Sequence, residues 1–191
     1  MLAVALSIKG LREPDLWWQI RTGEWILENG KVPTQDVFSY TYNGAPWVNI
    51  KWGFEVVAAL ITKAFGPEFI FLLQALVSGM LLLLLLKCAR IYLPDKAGTK
   101  VSDSFLLSIA ALLTLFACEY RFNGRPEMFS HLFAVLFLFI LLRYRTEDSN
   151  KILWLVPLQL LWANMHEAFG MGVILIGLFT VSAWVEYLLT A

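Results

Sequence analysis

Charge is what this sequence has least of: 16% of its 191 residues are Asp, Glu, Lys or Arg, where a soluble globular domain carries about a quarter. Fifteen Lys plus Arg balance fifteen Asp plus Glu, so bulk charge gives no sign of a nucleic-acid partner. Cysteine is nearly absent. The two thiols, Cys88 and Cys118, fall near opposite faces of a bilayer in the topology the loop charges give. A disulfide needs Cα atoms within about 7 Å, so no bridge between them is predicted. Zinc-type CxxC spacing is missing. So are a Walker-type phosphate loop, GxSxG and GxGxxG, which leaves nucleotide chemistry unsupported. The N-terminus lacks the basic stretch, long apolar core and small-residue cleavage site of a secretory signal.

What is present is apolar. Hydrophobic residues make up 59% of the chain and mean hydropathy is +0.65. The excess lies in long runs almost free of charge, the mark of membrane spans. Eight Trp, six Tyr and fourteen Phe suit aromatic belts at bilayer interfaces. The predicted fold is all-α: a polytopic transmembrane helix bundle with an external loop that contains two interfacial helices. Residues 1–10, with the apolar run MLAVALSI, are too short to span and read as the remnant of a first span. With YLLTA ending in mid-run, both ends look cut, and a fragment or minimal unit of a longer polytopic protein is expected.

Residues 11–67 form the external loop. DLWWQIRTGEWILENG predicts a helix at about 15–29, with Asp15 as N-cap and Asn29-Gly30 as stop. Its Trp-rich amphipathic character suits the membrane interface. Pro33, Asn43-Gly44 and Pro46 mark turns in the next segment. A second interfacial or re-entrant helix is predicted at 53–65, stopped by Gly66-Pro67. Five spans come after it, at about 68–93, 102–120, 126–145, 151–166 and 169–190. Pro157 predicts a kink in the fourth.

Lys87, Arg90, Lys96 and Lys100 occupy one loop, and Arg143, Arg145 and Lys151 the next but one. The positive-inside rule makes that face cytoplasmic. The opposite, external or periplasmic face receives Asp15, Asp36, Arg121, Arg125, Glu127, His131, Asn164, His166 and Glu167. Ionisable residues so close to hydrocarbon are costly, so their gathering there asks for a reason. In GRPEMFSH, Pro126 opens a span whose N-terminus faces outward. Its free N–H groups, its dipole, Arg125 and Arg121 together suit a phosphate or carboxylate. The competing reading is that the arginines snorkel to lipid headgroups and pair with Glu119 or Glu127. Asp15 could serve as a general base walled by Trp17 and Trp18, or only as a cap. Asp36 carries the same ambiguity. His166, Glu167 and His131 could form an N/O metal site. Neighbouring residues on a helix point about 100° apart, however, and HExxH is absent, so a hydrogen-bonded turn is the simpler reading.

PDLWWQIRTGEWILENGKVPTQDVFSY, PWVNIKWGFEVVAAL, RPEMFSHLF and WANMHEAFGMG, taken together, resemble the glycosyltransferase C superfamily of bacterial multi-pass membrane proteins, including its Rgt-like and protein-mannosyltransferase-like groups. The resemblance covers nearly the whole chain. It implies an enzyme that takes a sugar from a polyprenyl-phosphate carrier and passes it to an acceptor on the outer face of the plasma (inner) membrane. It also implies that Asp15 is the catalytic acidic residue and that Arg125, with Arg121, faces the donor phosphate. Trp17, Trp18, Asp36, Glu127, His131, Asn164, His166 and Glu167 would line the cavity. A divalent metal stays open as a cofactor. In relatives the two acidic residues are often adjacent, whereas here Pro14 separates Glu13 from Asp15. The first span is also reduced, and the later spans are missing. The alternative is a non-catalytic multi-pass protein, a transport or assembly subunit; bare span interiors speak against a transporter.

Overall fold

The computed structural model describes residues 13–92, 124–147 and 150–190, together with 105, 106, 109, 110, 113, 114 and 117. Among them there is helix and loop but no strand. The expected remnant at 1–10 lies outside the described residues, as do Arg121 and Cys118. Of the expected span 102–120 only the seven isolated positions are described, and all are helical.

The first helix, α1 (Pro14–Asn29), begins with Pro14 at a position where a missing N–H costs nothing. Glu13, extended at φ −84° and ψ 107°, holds the N-cap position but makes no side-chain cap bond. Asp15 is therefore not the cap that the sequence predicts. It sits exposed in the first helical turn, where a negative charge complements the helix dipole. At the other end Gly30 takes φ 64°, and its N–H reaches the Ile26 carbonyl at 2.8 Å. Only a residue at ease in the left-handed region closes a helix this way.

Helix α2 (Trp52–Phe65) packs against α1. The contact is closest at Gly23, where a Cβ would stand 1.9 Å from the Glu55 carbonyl oxygen. The buried stripe of α1 is accordingly Leu16, Gln19, Ile20, Thr22, Gly23 and Ile26, while Trp17 and Leu27 lie on its exposed side. Gly23→Ala is expected to destabilise the fold by about 1–3 kcal/mol, since backbone rather than a flexible side chain must yield. Thermal unfolding in detergent measures this, and an unchanged midpoint would mean that the two helices do not cross here.

A 3₁₀ turn (Pro67–Phe69) leads into α3 (Ile70–Tyr92), which packs along α4 (Glu127–Glu147). Helix α4 also contacts α5 (Leu155–Met165) and α6 (Gly170–Thr190). The shared core joins Ile70 and Val77 to Leu132, Phe133, Phe137 and Leu141, and continues into Leu16, Phe54 and Trp162. Gly172 lets α6 lie close, because a Cβ there would meet Gln159 at 2.1 Å and Phe137 at 2.9 Å.

Among the described residues three helices are long and apolar enough to cross a membrane: Pro67–Ile91, Glu127–Thr146 and Glu167–Thr190. The best window of the last is only 6% buried, against 39% for α4. Val173, Ile174, Leu178, Val181 and Trp184 thus form an apolar surface that only lipid or another helix could cover. The stretch expected as a fourth span, 151–166, differs. It is a 3₁₀ turn (Asn150–Trp154) and then eleven α-helical residues, which rise about 16 Å against a hydrocarbon core of about 30 Å. Pro157 explains the division. It stands in the first turn of α5, where its missing N–H is tolerated, so the chain changes helix type just before it instead of kinking in mid-span.

Candidate functional site

The GRPE segment places Arg125 just ahead of α4. Gly124 turns at φ 69°, and the Met128 and Phe129 N–H groups bond the Arg125 and Pro126 carbonyls at 3.2 and 3.1 Å. Arg125 Nε donates to Glu13 Oε2, which joins the entrance of α1 to the entrance of α4 across 112 residues of sequence. Glu13 is 4% exposed and the Arg125 side chain 41%, so the carboxylate is the buried partner and the cation reaches outward. The bond to Glu13 raises the Arg125 pKa, with burial opposing it and the charges of Glu13, Glu127 and Asp15 adding to it. Arg125 therefore remains a cation at every working pH, with Asp15 and Glu127 around it.

A second cluster lies beside it. Trp162, fully buried, donates from Nε1 to Ser130 Oγ at 2.7 Å. Ser130 Oγ stands 2.7 Å from His166 Nδ1, and the Ala168 N–H approaches the same nitrogen at 3.4 Å. The Ala168 N–H aimed at Nδ1 assigns that nitrogen as an acceptor, so the Ser130 hydroxyl donates to it and the neutral His166 ring carries its proton on Nε2. Burial lowers its pKa, while Glu167 and Glu127 raise it and Lys51 and His131 lower it further. His131 itself is exposed on α4, as is Glu167 beyond α5. Asn164 is not turned toward this cluster. Its Oδ1 accepts from Trp52 Nε1 at 2.7 Å and its Nδ2 donates to Leu160, fastening α2 to α5.

Asp36 is engaged in organising its own loop. It accepts from the Phe38 and Ser39 N–H groups at 2.9 and 2.8 Å and from Ser39 Oγ at 2.5 Å, which lowers its pKa. Bonds from Asp36 N–H to Ala45 and from Trp47 N–H to Thr34 close the loop. A groove of about 400 Å³ opens there, lined by Trp18, Asp36, Phe38, Tyr42 and Trp47 among others. Lys51 lies over the Trp18 ring at 5.0 Å. Trp18 thus faces a groove, with its Nε1 3.4 Å from Asp15, whereas Trp17 is 53% exposed and lines no part of it.

No family model, curated protein or solved structure matches the chain.

The expected residues therefore fall into sets. Arg125, Asp15, Glu127, His131, His166 and Glu167 are linked through the charges they exert on Arg125 or His166. Asp36 and Trp18 belong to the neighbouring loop groove, and Asn164 to a helix junction. Among the described residues no three His, Cys, Asp or Glu side chains group to hold a metal ion. Cys88 is a buried free thiol.

Four participants escaped the sequence reading: Glu13 as the partner of Arg125, Ser130 and Trp162 beneath His166, and Glu55. The signal for Glu55 was legible, since it is the lone acid in GFEVVAAL. It is fully buried, takes a 2.5 Å bond from Asn49 Nδ2, and leaves Oε1 without a partner among the described residues. Burial raises its pKa to about 7, with the Asn49 bond and the Lys51 charge pulling the other way. A folded-state value above the unfolded one means that the folded chain holds its proton more tightly. This contribution is complete below about pH 4.5 and is lost as pH rises through 7, up to about 3 kcal/mol. Glu55→Gln is expected to match the wild type near pH 5 and to exceed it in melting temperature at pH 8. Parallel curves for the two proteins would show that Glu55 does not titrate in this window.

Proposed function

We propose that the chain is a membrane glycosyltransferase unit of the glycosyltransferase C type, a multi-pass helix bundle. It moves a sugar from a polyprenyl-phosphate carrier to an acceptor hydroxyl at the external face of the plasma membrane. The observation that supports this best is the Glu13–Arg125 pair. It holds a cation at the outward start of a span-length helix, with the Asp15 carboxylate close enough to act on it. A lipid-linked donor would bring its phosphate to that depth.

In this reading the acceptor oxygen attacks the sugar's anomeric carbon. The bond from that carbon to the phosphate oxygen breaks, and its electron pair leaves with polyprenyl phosphate. Asp15 takes the hydroxyl proton, which its exposure permits. Arg125 stabilises the departing phosphate, and the positive end of the α4 dipole adds to its charge. Glu13 holds Arg125 by Nε, so the rest of the guanidinium edge is the part offered to the donor. His166, neutral and hydrogen-bonded, helps shape the wall.

A non-catalytic membrane subunit is the second reading. It is favoured by the same ion pair, because Arg125 already has a buried carboxylate partner and needs no ligand. The two separate in proteoliposomes that contain the full chain and a polyprenyl-phosphate hexose, supplied with a hydroxyl acceptor to receive the sugar. Release of free polyprenyl phosphate that depends on Arg125 supports the transferase. Donor retention without release supports the subunit.

A further inference from the structure

A second cluster of cations lies at the other end of the α3–α4 pair. Lys87, Arg90 and Ile91 from the end of α3 and Phe139 and Arg143 from α4 line one groove of about 340 Å³. The spacings explain the convergence: 87, 90 and 91, like 139 and 143, are three or four apart and share a helix face. Glu127 and Arg143 are sixteen residues apart on α4, about 24 Å of helical rise, so the groove and the Arg125 cluster sit at opposite ends of that helix. No carboxylate lines the groove, and among the described residues Lys87 and Arg90 form no ion pair. The Arg143 guanidinium lies 6.0 Å from the Phe139 ring centroid, which gives it a flat apolar backing.

We infer that this groove binds the phosphate headgroup of an anionic phospholipid. Three cations from two helices converge on a space that suits a phosphate and its glycerol. Phe139, one turn nearer the middle of α4 than Arg143, supplies apolar wall on the hydrocarbon side, where the first acyl carbons would run, and Ile91 adds apolar surface beside Lys87 and Arg90 at the end of α3. Cations that merely snorkelled would spread along the membrane surface rather than converge on one concavity. A soluble anion would gain the charge contacts but nothing from the apolar wall. The lipid is therefore the occupant that the whole lining matches. This site is independent of the sugar-transfer reading, because it shares no residue with the Arg125 cluster.

The test is native mass spectrometry of the purified full chain in detergent, titrated with phosphatidylglycerol, with phosphatidylcholine and with inorganic phosphate. The wild type is expected to retain phosphatidylglycerol in preference to phosphatidylcholine, and inorganic phosphate at equal concentration is expected not to displace it. The double variant Lys87→Gln/Arg90→Gln, checked for helix content by circular dichroism, is expected to bind about thirty-fold more weakly. Arg145→Gln is the control: that arginine pairs with Glu186 at 2.5 Å and does not line the groove. Equal retention of both lipids by the wild type overturns the proposal without recourse to any variant. So does displacement by inorganic phosphate, or an equal loss in Arg145→Gln.

Discussion

Asp15→Asn lowers sugar transfer by roughly 10²–10⁴-fold while leaving insertion and donor retention intact, if Asp15 is the base. The amide keeps the shape of the carboxylate but cannot accept the hydroxyl proton. It also leaves α1 in place, because Asp15 is not a cap and, among the described residues, its one side-chain hydrogen bond is the long approach from Trp18. A fall in transfer from this substitution would therefore not come from unfolding. The readout is release of free polyprenyl phosphate by reconstituted full-length chain. Undiminished release by the Asn variant would remove Asp15 from the chemistry, and the buried neighbour Glu13 would be the next carboxylate to test.

Trp162→Ala is expected to cost about 3–5 kcal/mol, among the largest losses any single truncation here could produce. The ring is completely buried and lies 5.7 Å from Phe133 in a stacked pair and 5.4 Å from Phe137 edge-on. Its removal leaves a cavity where α4, α5 and α6 meet. It also deprives Ser130 Oγ, the hydrogen-bond partner of His166 Nδ1, of its donor. Trp162→Phe separates the two effects. It keeps most of the packing and loses the N–H, so it should cost only about 1–2 kcal/mol. Chemical unfolding in detergent reads both variants. Equal losses for Ala and Phe would place the stabilisation in the hydrogen bond rather than in the rings.

The helices were legible because their signals are local. Gly30 ends α1, Gly66-Pro67 ends α2, and uncharged runs give the three span-length helices, whereas the cap of α1 was placed at Asp15 and is Glu13. For the site, loop charges and span count led only to the expectation that Arg125 and His166 belong to one face, and the structure adds that the Glu127 charge bears on both. That Arg125 is held by Glu13 was not legible, because nothing in the sequence near residue 125 names a partner 112 residues away. The buried stripe of α1 was not legible for a related reason: Gly23 and the fully buried Thr22, neither of them strongly hydrophobic, lie where the backbone of α2 comes closest. Asp36 illustrates a third limit. An acid among turn residues reads equally as base or loop organiser, and only its three short-range bonds show how its oxygens are used.

Everything functional rests on the start of α1 and the start of α6 opening to one side of the bilayer, with the Lys87–Arg143 groove on the other. Single cysteines at positions 15, 167 and 145, placed in a chain whose Cys88 and Cys118 are replaced by serine, can be tested with a membrane-impermeant maleimide on intact cells. Labelling at 15 and 167 from outside, with 145 labelled only after permeabilisation, is the expected result. Labelling of 15 and 167 from different sides would contradict it.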